Sequence, residues 1–197
     1  KVALRSGVIH NLGEDDETVI DDIKRYLSYF PPSAWSYPQP LPPDESCAPR
    51  PTPELLDIVS RDNKRVYDVR KVIDVVFDTP DWFEVQPKFG PAIICALAHL
   101  GGHPVAVVAN QPNVLAGAID ADAADKAAHF ITVADSFHLP IIFLADNPGM
   151  LPGSRSERTG VLRSGARMFA AQTSATTLKL HVTLRKAYGF GSMVMSL

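Results

Sequence analysis

Continuous apolar runs dominate the hydrophobic pattern in the second half of the chain. Residues 104–109 and 140–145 are apolar throughout, and a third, partly β-branched run covers 178–184. Runs without strict alternation are typical of strands that are buried on both faces, as in a parallel sheet. We therefore predict three buried strands at these positions.

Apolar residues at helical spacing fill the intervals between these strands. Asp120 is a suitable N-cap for a helix that runs to about residue 137, and another helix is predicted over 157–175. Before the first buried strand, the pattern predicts helices over 15–29 and 67–77, a short strand at 82–85, and a helix or apolar segment over 91–100.

The order strand, helix, strand, helix, strand predicts an α/β fold with a parallel sheet and right-handed crossovers. In such sheets, ligands bind outside the carboxyl ends of the strands. The loops 110–117, 146–153 and 188–192 follow the three strands, so we expect them to converge on one pocket.

The third of these loops has the strongest local signal. The run 180–184 is followed by Gly189 and Gly191, and residues 192–195 resume an apolar pattern that starts a helix. A strand–glycine–helix corner leaves backbone N–H groups unpaired, with the helix dipole behind them, and this suits an anion or an oxyanion. Taken alone, the pattern also fits an ordinary tight turn; the order of the preceding elements favours the anion site.

Composition narrows the class of protein. The 197 residues, 46% of them hydrophobic, are enough for one domain, or for one domain and a fragment. The net charge of −3 gives no support for binding to nucleic acid or to a membrane surface. No apolar run spans a bilayer, and no signal-peptide pattern is present. Cys47 and Cys95 form no CxxC pair, so a reducing compartment, cytoplasmic or alternatively the mitochondrial matrix, is expected. The scattered histidines predict no metal site.

A proline-rich stretch divides the chain. Nine prolines lie within residues 31–54, which we interpret as an extended linker and a domain boundary. Trp35 and Tyr37 are candidates for packing on a neighbouring domain, and a proline-rich ligand for a partner module is the alternative. Because Lys1 is not Met and Leu197 lies in an apolar run, we expect a piece of a longer chain.

Several common catalytic sites are excluded. The chain has no GxxxxGK[ST] motif, Gly189-Phe190-Gly191 lacks the third glycine of a dinucleotide fingerprint, and no GxSxG surrounds Ser154. Asp146 is the one acid in the three loops. The three loops contain amides and glycines but few side chains that could act as an acid or a base. Such a site suits chemistry in which a cofactor carries the proton.

Three segments carry a family resemblance. Residues 102–112 read Gly-His-Pro-Val-Ala-Val-Val-Ala-Asn-Gln-Pro, residues 143–153 read Phe-Leu-Ala-Asp-Asn-Pro-Gly-Met-Leu-Pro-Gly, and residues 184–189 read Leu-Arg-Lys-Ala-Tyr-Gly. In this order they resemble the carboxyltransferase, or beta, subunit of the biotin-dependent acyl-CoA carboxylases, such as propionyl-CoA carboxylase. Residues 67–70 and 83–84 also match, so the resemblance covers nearly the whole chain.

The resemblance implies a crotonase-like (ClpP/crotonase) ββα superhelix and a partial chain of a two-domain subunit. Residues 1–30 would be the closing strand and helix of the N-terminal domain, 31–54 the linker, and 55–197 a truncated C-terminal domain. It further implies transfer of a carboxyl group from carboxybiotin, on a biotin carboxylase/carrier (alpha) subunit, to the α-carbon of an acyl-CoA. Relatives form hexamers, so we expect a homo- or hetero-oligomer, and no metal in this subunit.

The resemblance also assigns roles to residues. Gly189, Phe190 and Gly191 would be catalytic, and the N–H groups of Phe190 and Gly191 would be the donors that stabilise charge on the biotin ureido oxygen. Asn110, Gln111, Gly149 and Tyr188 would bind the cofactor, and Phe190 and Met193 would line the substrate pocket. Relatives usually read Tyr-Gly-Gly-Ala at 188–191; Phe190 keeps its N–H, cannot easily adopt a positive φ, and brings a ring that we expect to reshape the acyl or biotin pocket. An apolar Met193 indicates an acyl chain different from, or longer than, propionyl.

Two alternatives stay open. One is an assembly subunit that keeps the fold and has lost turnover through Phe190. The other is a crotonase-type enoyl-CoA hydratase or isomerase, which the absence of an acid pair in the loops disfavours.

Overall fold

A computed structural model describes residues 2, 5–42 and 45–196. Outside the described residues lie 1, 3, 4, 43, 44 and 197. Parts of the predicted N-terminal strand, of the linker and of the C-terminal domain fall on them. The helices are α1 (Asp16–Ser28), α2 (Leu55–Ile58), α3 (Arg70–Val76), α4 (Ala121–Ser136), α5 (Ser154–Arg158), α6 (Val161–Ser174) and α7 (Gly189–Met195). The strands are β1 (Phe83–Val85), β2 (Ile93–Leu100), β3 (His103–Asn110), β4 (Ile141–Asn147) and β5 (Lys179–Ala187).

The five strands form one sheet in the order β1-β2-β3-β4-β5. The β3–β4 and β4–β5 pairs are parallel, which confirms the predicted α/β arrangement of the three later strands. The β1–β2 and β2–β3 pairs are antiparallel, so the prediction of a purely parallel sheet was wrong, and the sheet is mixed.

The segment 91–100 is the main correction to the predicted elements. It forms β2, a strand and not a helix, and it pairs along its whole length with β3. Gly101 and Gly102 make the connecting turn, both with positive φ (60° and 79°), the backbone shape of a tight hairpin turn. A short apolar run of eight residues fits a helix or a strand by periodicity alone. The Gly-Gly pair that follows it is the signal in the sequence that favours a strand, because it is typical of a hairpin turn.

Burial on both faces explains the continuous apolar runs of β2, β3 and β4. Alternate residues of these strands enter two separate cores, one on each face of the sheet. The first core contains Cys95, Leu97, Val108 and Phe143 with Phe130 and Ile131 of α4 and Met168 of α6. The second contains Ile94, Val105, Val107 and Leu144 with Val72 and Ile73 of α3 and Phe77.

The prediction that 178–184 is buried was wrong. It forms β5, but β5 lies at the edge of the sheet, and Leu180 and Val182 are 45% and 47% exposed. An apolar pattern predicts a strand and does not distinguish a central strand from an edge strand.

The helices predicted over 15–29 and 120–137 are confirmed, whereas the one predicted over 157–175 is interrupted. The Asp15 and Asp120 carboxylates cap α1 and α4 as N-caps, accepting from Thr18 N and Ala123 N at 2.8 and 2.9 Å. The predicted helix over 157–175 is two helices, α5 and α6, because the chain turns at Gly160 with a φ of 82°. Within the described part of the chain, no helix has the length and apolar character needed to cross a membrane.

Asn11 joins the N-terminal segment to β1, donating to the Glu84 carbonyl oxygen at 2.8 Å and accepting from Gln86 N at 3.1 Å. The described residues before α1 contain no strand, contrary to the expected closing strand. Tyr29, after α1, is buried, and its hydroxyl donates to the carbonyl oxygen of Asp81 at 3.1 Å. In the extended linker, the Tyr37 ring lies near the ring of His138, which follows α4, with centroids 4.8 Å apart and the planes tilted by 38°. Tyr37 and Trp35 are 72% and 96% exposed. Both side chains are largely exposed here, so packing of Trp35 and Tyr37 on a neighbouring domain stays a prediction.

The Cys95 thiol gives a direct check of this core. Cys95 is fully buried in β2, and burial raises its pKa to about 12, so almost no thiolate forms at neutral pH. We expect Cys95 to resist iodoacetamide in the native protein and to react in denaturing urea, as read by mass spectrometry of its peptide. Modification of Cys95 in the native protein would contradict its placement in the centre of the sheet.

Candidate active site

The loops that follow β3 and β4 lie against each other, as the sequence predicts. Ile119 N donates to the carbonyl oxygen of Gly149 at 3.1 Å, and Leu151 N donates to that of Ile119 at 2.8 Å. Gly117, with a φ of 86°, approaches the backbone so closely that a Cβ there would overlap the carbonyl oxygen of Asp146. These contacts bring two of the three predicted loops together.

Residues 188–192, which we call the glycine corner, complete the convergence. Tyr188 N donates to the carbonyl oxygen of Asn147 at 3.3 Å. Gly189 takes the positive φ (54°) and begins α7, so Phe190 has an ordinary helical backbone. Gly191 is buried, and a Cβ there would overlap Asn147 Oδ1. The expected conflict between a phenylalanine and a positive φ therefore does not arise.

The glycine corner keeps free donors. Within the described residues, no acceptor is found for the backbone N–H groups of Gly189, Phe190 and Gly191, and no side chain caps α7. The first turn of a helix has no intrahelical partners for these groups. The helix starts at Gly189, three residues earlier than the sequence pattern indicates, and this places all three groups in that turn.

Asn110 and Gln111 are internal supports of this region. The Asn110 Oδ1 atom accepts from Asp146 N at 3.1 Å and from Asn147 Nδ2 at 3.0 Å. The Gln111 amide donates to Asp68 at 2.7 Å and accepts from Val69 N at 3.2 Å. Both side chains are completely buried, so neither is exposed to a ligand in this structure.

The other predicted site residues differ in exposure. Tyr188, the first residue of the glycine corner, and Met193, which follows the corner, are 54% and 50% exposed. Gly149 is buried, and its N–H donates to Asn147 Oδ1 at 3.1 Å. The Phe190 ring lies against α6, 6.0 Å from the ring of Phe169 and close to Gly165. A role for Phe190 or Met193 toward an acyl chain stays a prediction.

A buried polar cluster beneath the glycine corner was not foreseen as a unit. Asp146 is completely buried, and its Oδ2 accepts from the Tyr67 hydroxyl and from Arg185 Nε, both at 2.8 Å. Lys186 Nζ lies 3.8 Å from Oδ1. Burial, and then the neighbouring carboxylate, raise the pKa of Tyr67 far above its usual value, so its hydroxyl remains a donor. We call these four residues the Asp146 cluster.

The arrangement can hold developing negative charge without a side-chain base. The donors are main-chain groups, and preorganised amides of this kind stabilise an oxyanion. Among the described residues, no group of three histidine, cysteine, aspartate or glutamate side chains could bind a metal ion. The Asp146 carboxylate is engaged with Tyr67 and Arg185 and is therefore poorly placed to act as a general base.

Comparisons with known proteins identify relatives of this chain. The family model described as the carboxyl transferase domain matches residues 1–196. The chain is 40% identical over 190 residues, 96% of its length, to the methylmalonyl-CoA carboxyltransferase 12S subunit of Propionibacterium freudenreichii subsp. shermanii. It is 39% identical over 191 residues, 97% of its length, to the propionyl-CoA carboxylase carboxyltransferase subunit of Haloferax mediterranei.

Solved structures show the same fold. A hexameric transcarboxylase 12S structure with bound hydrolysed methylmalonyl-coenzyme A is similar to 98% of this chain, with a TM-score of 0.93 and 40% identity. The mixed α/β sheet is accordingly a crotonase-like fold. This chain spans 36% and 37% of the lengths of the two relatives and 37% of the 12S chain.

Proposed function

Because this chain belongs to the carboxyl transferase domain family, we propose that the protein carrying it moves a carboxyl group from carboxybiotin to the α-carbon of an acyl-CoA. The observation that carries the proposal is the similarity of 98% of the chain to transcarboxylase 12S at a TM-score of 0.93. The function is that of a carboxyltransferase component of an acyl-CoA carboxylase.

We assign the charge-stabilising role to the glycine corner. The N–H groups of Phe190 and Gly191 are adjacent and find no acceptor among the described residues, which fits the ureido oxygen of biotin as it gains negative charge. Biotin, when bound, supplies the carboxyl group and can take the α-proton of the acyl-CoA. The main chain at 190–191 then holds the negative charge, while Gly149 and Tyr188 border the same space.

Partners and domains follow from the same proposal. The biotin would arrive on a carrier domain of a biotin carboxylase (alpha) subunit, in the cytoplasm or the mitochondrial matrix. Residues 1–30 would end an N-terminal domain that supplies the acyl-CoA oxyanion hole, 31–54 would link it, and 55–197 would begin the C-terminal domain. The assembly would be an oligomer in which sites form between subunits, in keeping with the hexameric 12S structure.

The proposal is tested with the full-length protein, its biotinylated partner, ATP, radiolabelled bicarbonate and a series of acyl-CoAs. We expect acid-stable label in at least one acyl-CoA. If the partner carboxylates its own biotin and no acyl-CoA acquires label, the protein is an assembly subunit. Hydration of an enoyl-CoA without label would indicate a crotonase-type hydratase and contradict the proposal.

Met193 offers a prediction about the acyl chain. Its half-exposed, apolar side chain lies two residues beyond Gly191 and suits a longer acyl group. We expect Met193→Asp to lower kcat/KM for acyl chains longer than propionyl by about tenfold relative to propionyl-CoA, since each methylene in such a pocket contributes about 10-fold or more. Met193→Leu is the control and should retain the wild-type preference. Equal effects on all chain lengths would remove Met193 from the pocket.

A further inference from the structure

The Asp146 cluster lies at an irregularity between β4 and β5. Ala145 pairs with Thr183 and Asn147 pairs with Ala187, so a single residue of β4, Asp146, faces three residues of β5, 184–186. A bulge of this kind changes the register of everything that follows it. Arg185 and Lys186 are two of the three bulged residues, and both direct their charges to Asp146.

The register of β5 is weakly specified elsewhere. As an edge strand it has exposed Leu180 and Val182, and its outward and inward positions differ little in burial. Register is well specified only where a one-residue slip would exchange buried for exposed side chains. The buried ion pairs to Asp146 therefore supply the specificity that the apolar pattern of β5 lacks.

The glycine corner follows the bulge directly, with no loop residues between them. Ala187 pairs with Asn147, Tyr188 N donates to the Asn147 carbonyl, and α7 begins at the next residue, Gly189. A slip of one residue would move the donors at 190–191 by about 3.3 Å, which exceeds the tolerance of an oxyanion site. We propose that Arg185 and Asp146 are positioning residues, whose buried ion pair sets the register of β5 and thereby aims the N–H groups of Phe190 and Gly191.

Arg185 also anchors the cluster from the opposite side. Its Nη1 donates to the carbonyl oxygens of Ser60, Asp62 and Arg65, at 3.3, 2.8 and 2.8 Å. Its guanidinium lies 4.8 Å from the centre of the Tyr67 ring. A buried ion pair adds little net stability compared with apolar residues of similar size. A role in positioning the glycine corner explains why Arg185 and Asp146 form a buried ion pair at this place.

The test uses three variants of the full-length protein, Arg185→Met, Arg185→Lys and Asp146→Asn, and rests on the proposed function only for its kinetic part. Lys126→Met is the matched control, because Lys126 is a buried cation (2% exposed) that donates to the Phe89 carbonyl, in α4 and outside the three loops. We expect Arg185→Met and Asp146→Asn to lower kcat about 100-fold with KM for the acyl-CoA within threefold, and Arg185→Lys to lose about tenfold.

Hydrogen exchange provides a readout that does not depend on activity. The Tyr188 and Ser192 amides, which donate to Asn147 and Tyr188, report the position of the glycine corner. We expect both to exchange at least tenfold faster in Arg185→Met and Asp146→Asn, relative to amides of α4, and to be unchanged in Lys126→Met. A general loss of stability would instead accelerate exchange in α4 as well.

The outcomes separate the two proposals. If the wild-type protein transfers no carboxyl group, the proposed function fails, and hydrogen exchange alone decides the positioning role. Unchanged exchange at Tyr188 and Ser192 in the Asp146 and Arg185 variants overturns the positioning role, whatever their activity. A kcat loss in Lys126→Met equal to that in Arg185→Met also overturns it.

Discussion

Replacing Gly117 by alanine is expected to lower the free energy of unfolding by about 4 kcal/mol. The positive φ of 86° costs an L-residue about 1–2 kcal/mol, and forcing a methyl group into a packed backbone costs about 1–3 kcal/mol more. The added Cβ would overlap the Asp146 carbonyl oxygen, so the loops after β3 and β4 must separate. Because that contact joins the loop after β3 to the loop that contacts the glycine corner, activity should fall at least 100-fold in the fraction that stays folded.

Gly101→Ala is the matched control for this change. Gly101 has a similar φ of 60°, but an added Cβ would meet nothing within 4 Å, so the cost should be about 1 kcal/mol. Urea unfolding of the full-length protein gives both values. Equal destabilisation by the two variants would show that the loop after β3 does not approach Asp146 as described.

Removing the Phe190 N–H, while keeping its side chain, is expected to lower kcat 100- to 1000-fold. Loss of one preorganised oxyanion donor costs about 3–4 kcal/mol of transition-state stabilisation. The change is made by incorporating phenyllactate at position 190, which replaces the amide with an ester. No protein acceptor is lost, because within the described residues this N–H has no partner. The fold should therefore be retained.

Two controls distinguish the effect of the Phe190 N–H donor from the effect of the Phe190 ring. Phe190→Ala keeps the N–H and loses the contact with Phe169, so it should reduce stability and lower kcat less than tenfold. Phenyllactate at Phe130, inside α4, removes a helical N–H away from the loops and should leave kcat within threefold. Steady-state carboxylation of an acyl-CoA measures all three. A larger loss in Phe190→Ala than in the ester would assign the effect to the ring.

Local signals in the sequence were sufficient for much of the fold. Asp120 and the small apolar residues that follow it specify α4, and the uniform apolar runs of β3 and β4 specify strands with two buried faces. The convergence of loops 110–117, 146–153 and 188–192 follows from the rule on carboxyl ends of parallel strands. These features depend on residues close together in the chain.

Features that depend on distant residues were not predictable in the same way. β2 and its antiparallel pairing depend on β3, and the exposure of β5 depends on its place at the edge of the sheet. The Tyr67–Asp146 and Arg185–Asp146 contacts join residues 79 and 39 positions apart. No spacing rule connects such residues, and a bulge that sets three residues of β5 against one of β4 leaves no periodic signal. The packing of the Phe190 ring on α6 likewise follows from tertiary contact alone.

The most direct measurement is a structure of the full-length protein with its biotinylated carrier domain bound. We expect the biotin ureido oxygen about 2.7–3.1 Å from the backbone nitrogens of Phe190 and Gly191. The contrary result is a biotin ring on another face, or nitrogens at 190–191 that bond to acceptors of the protein itself.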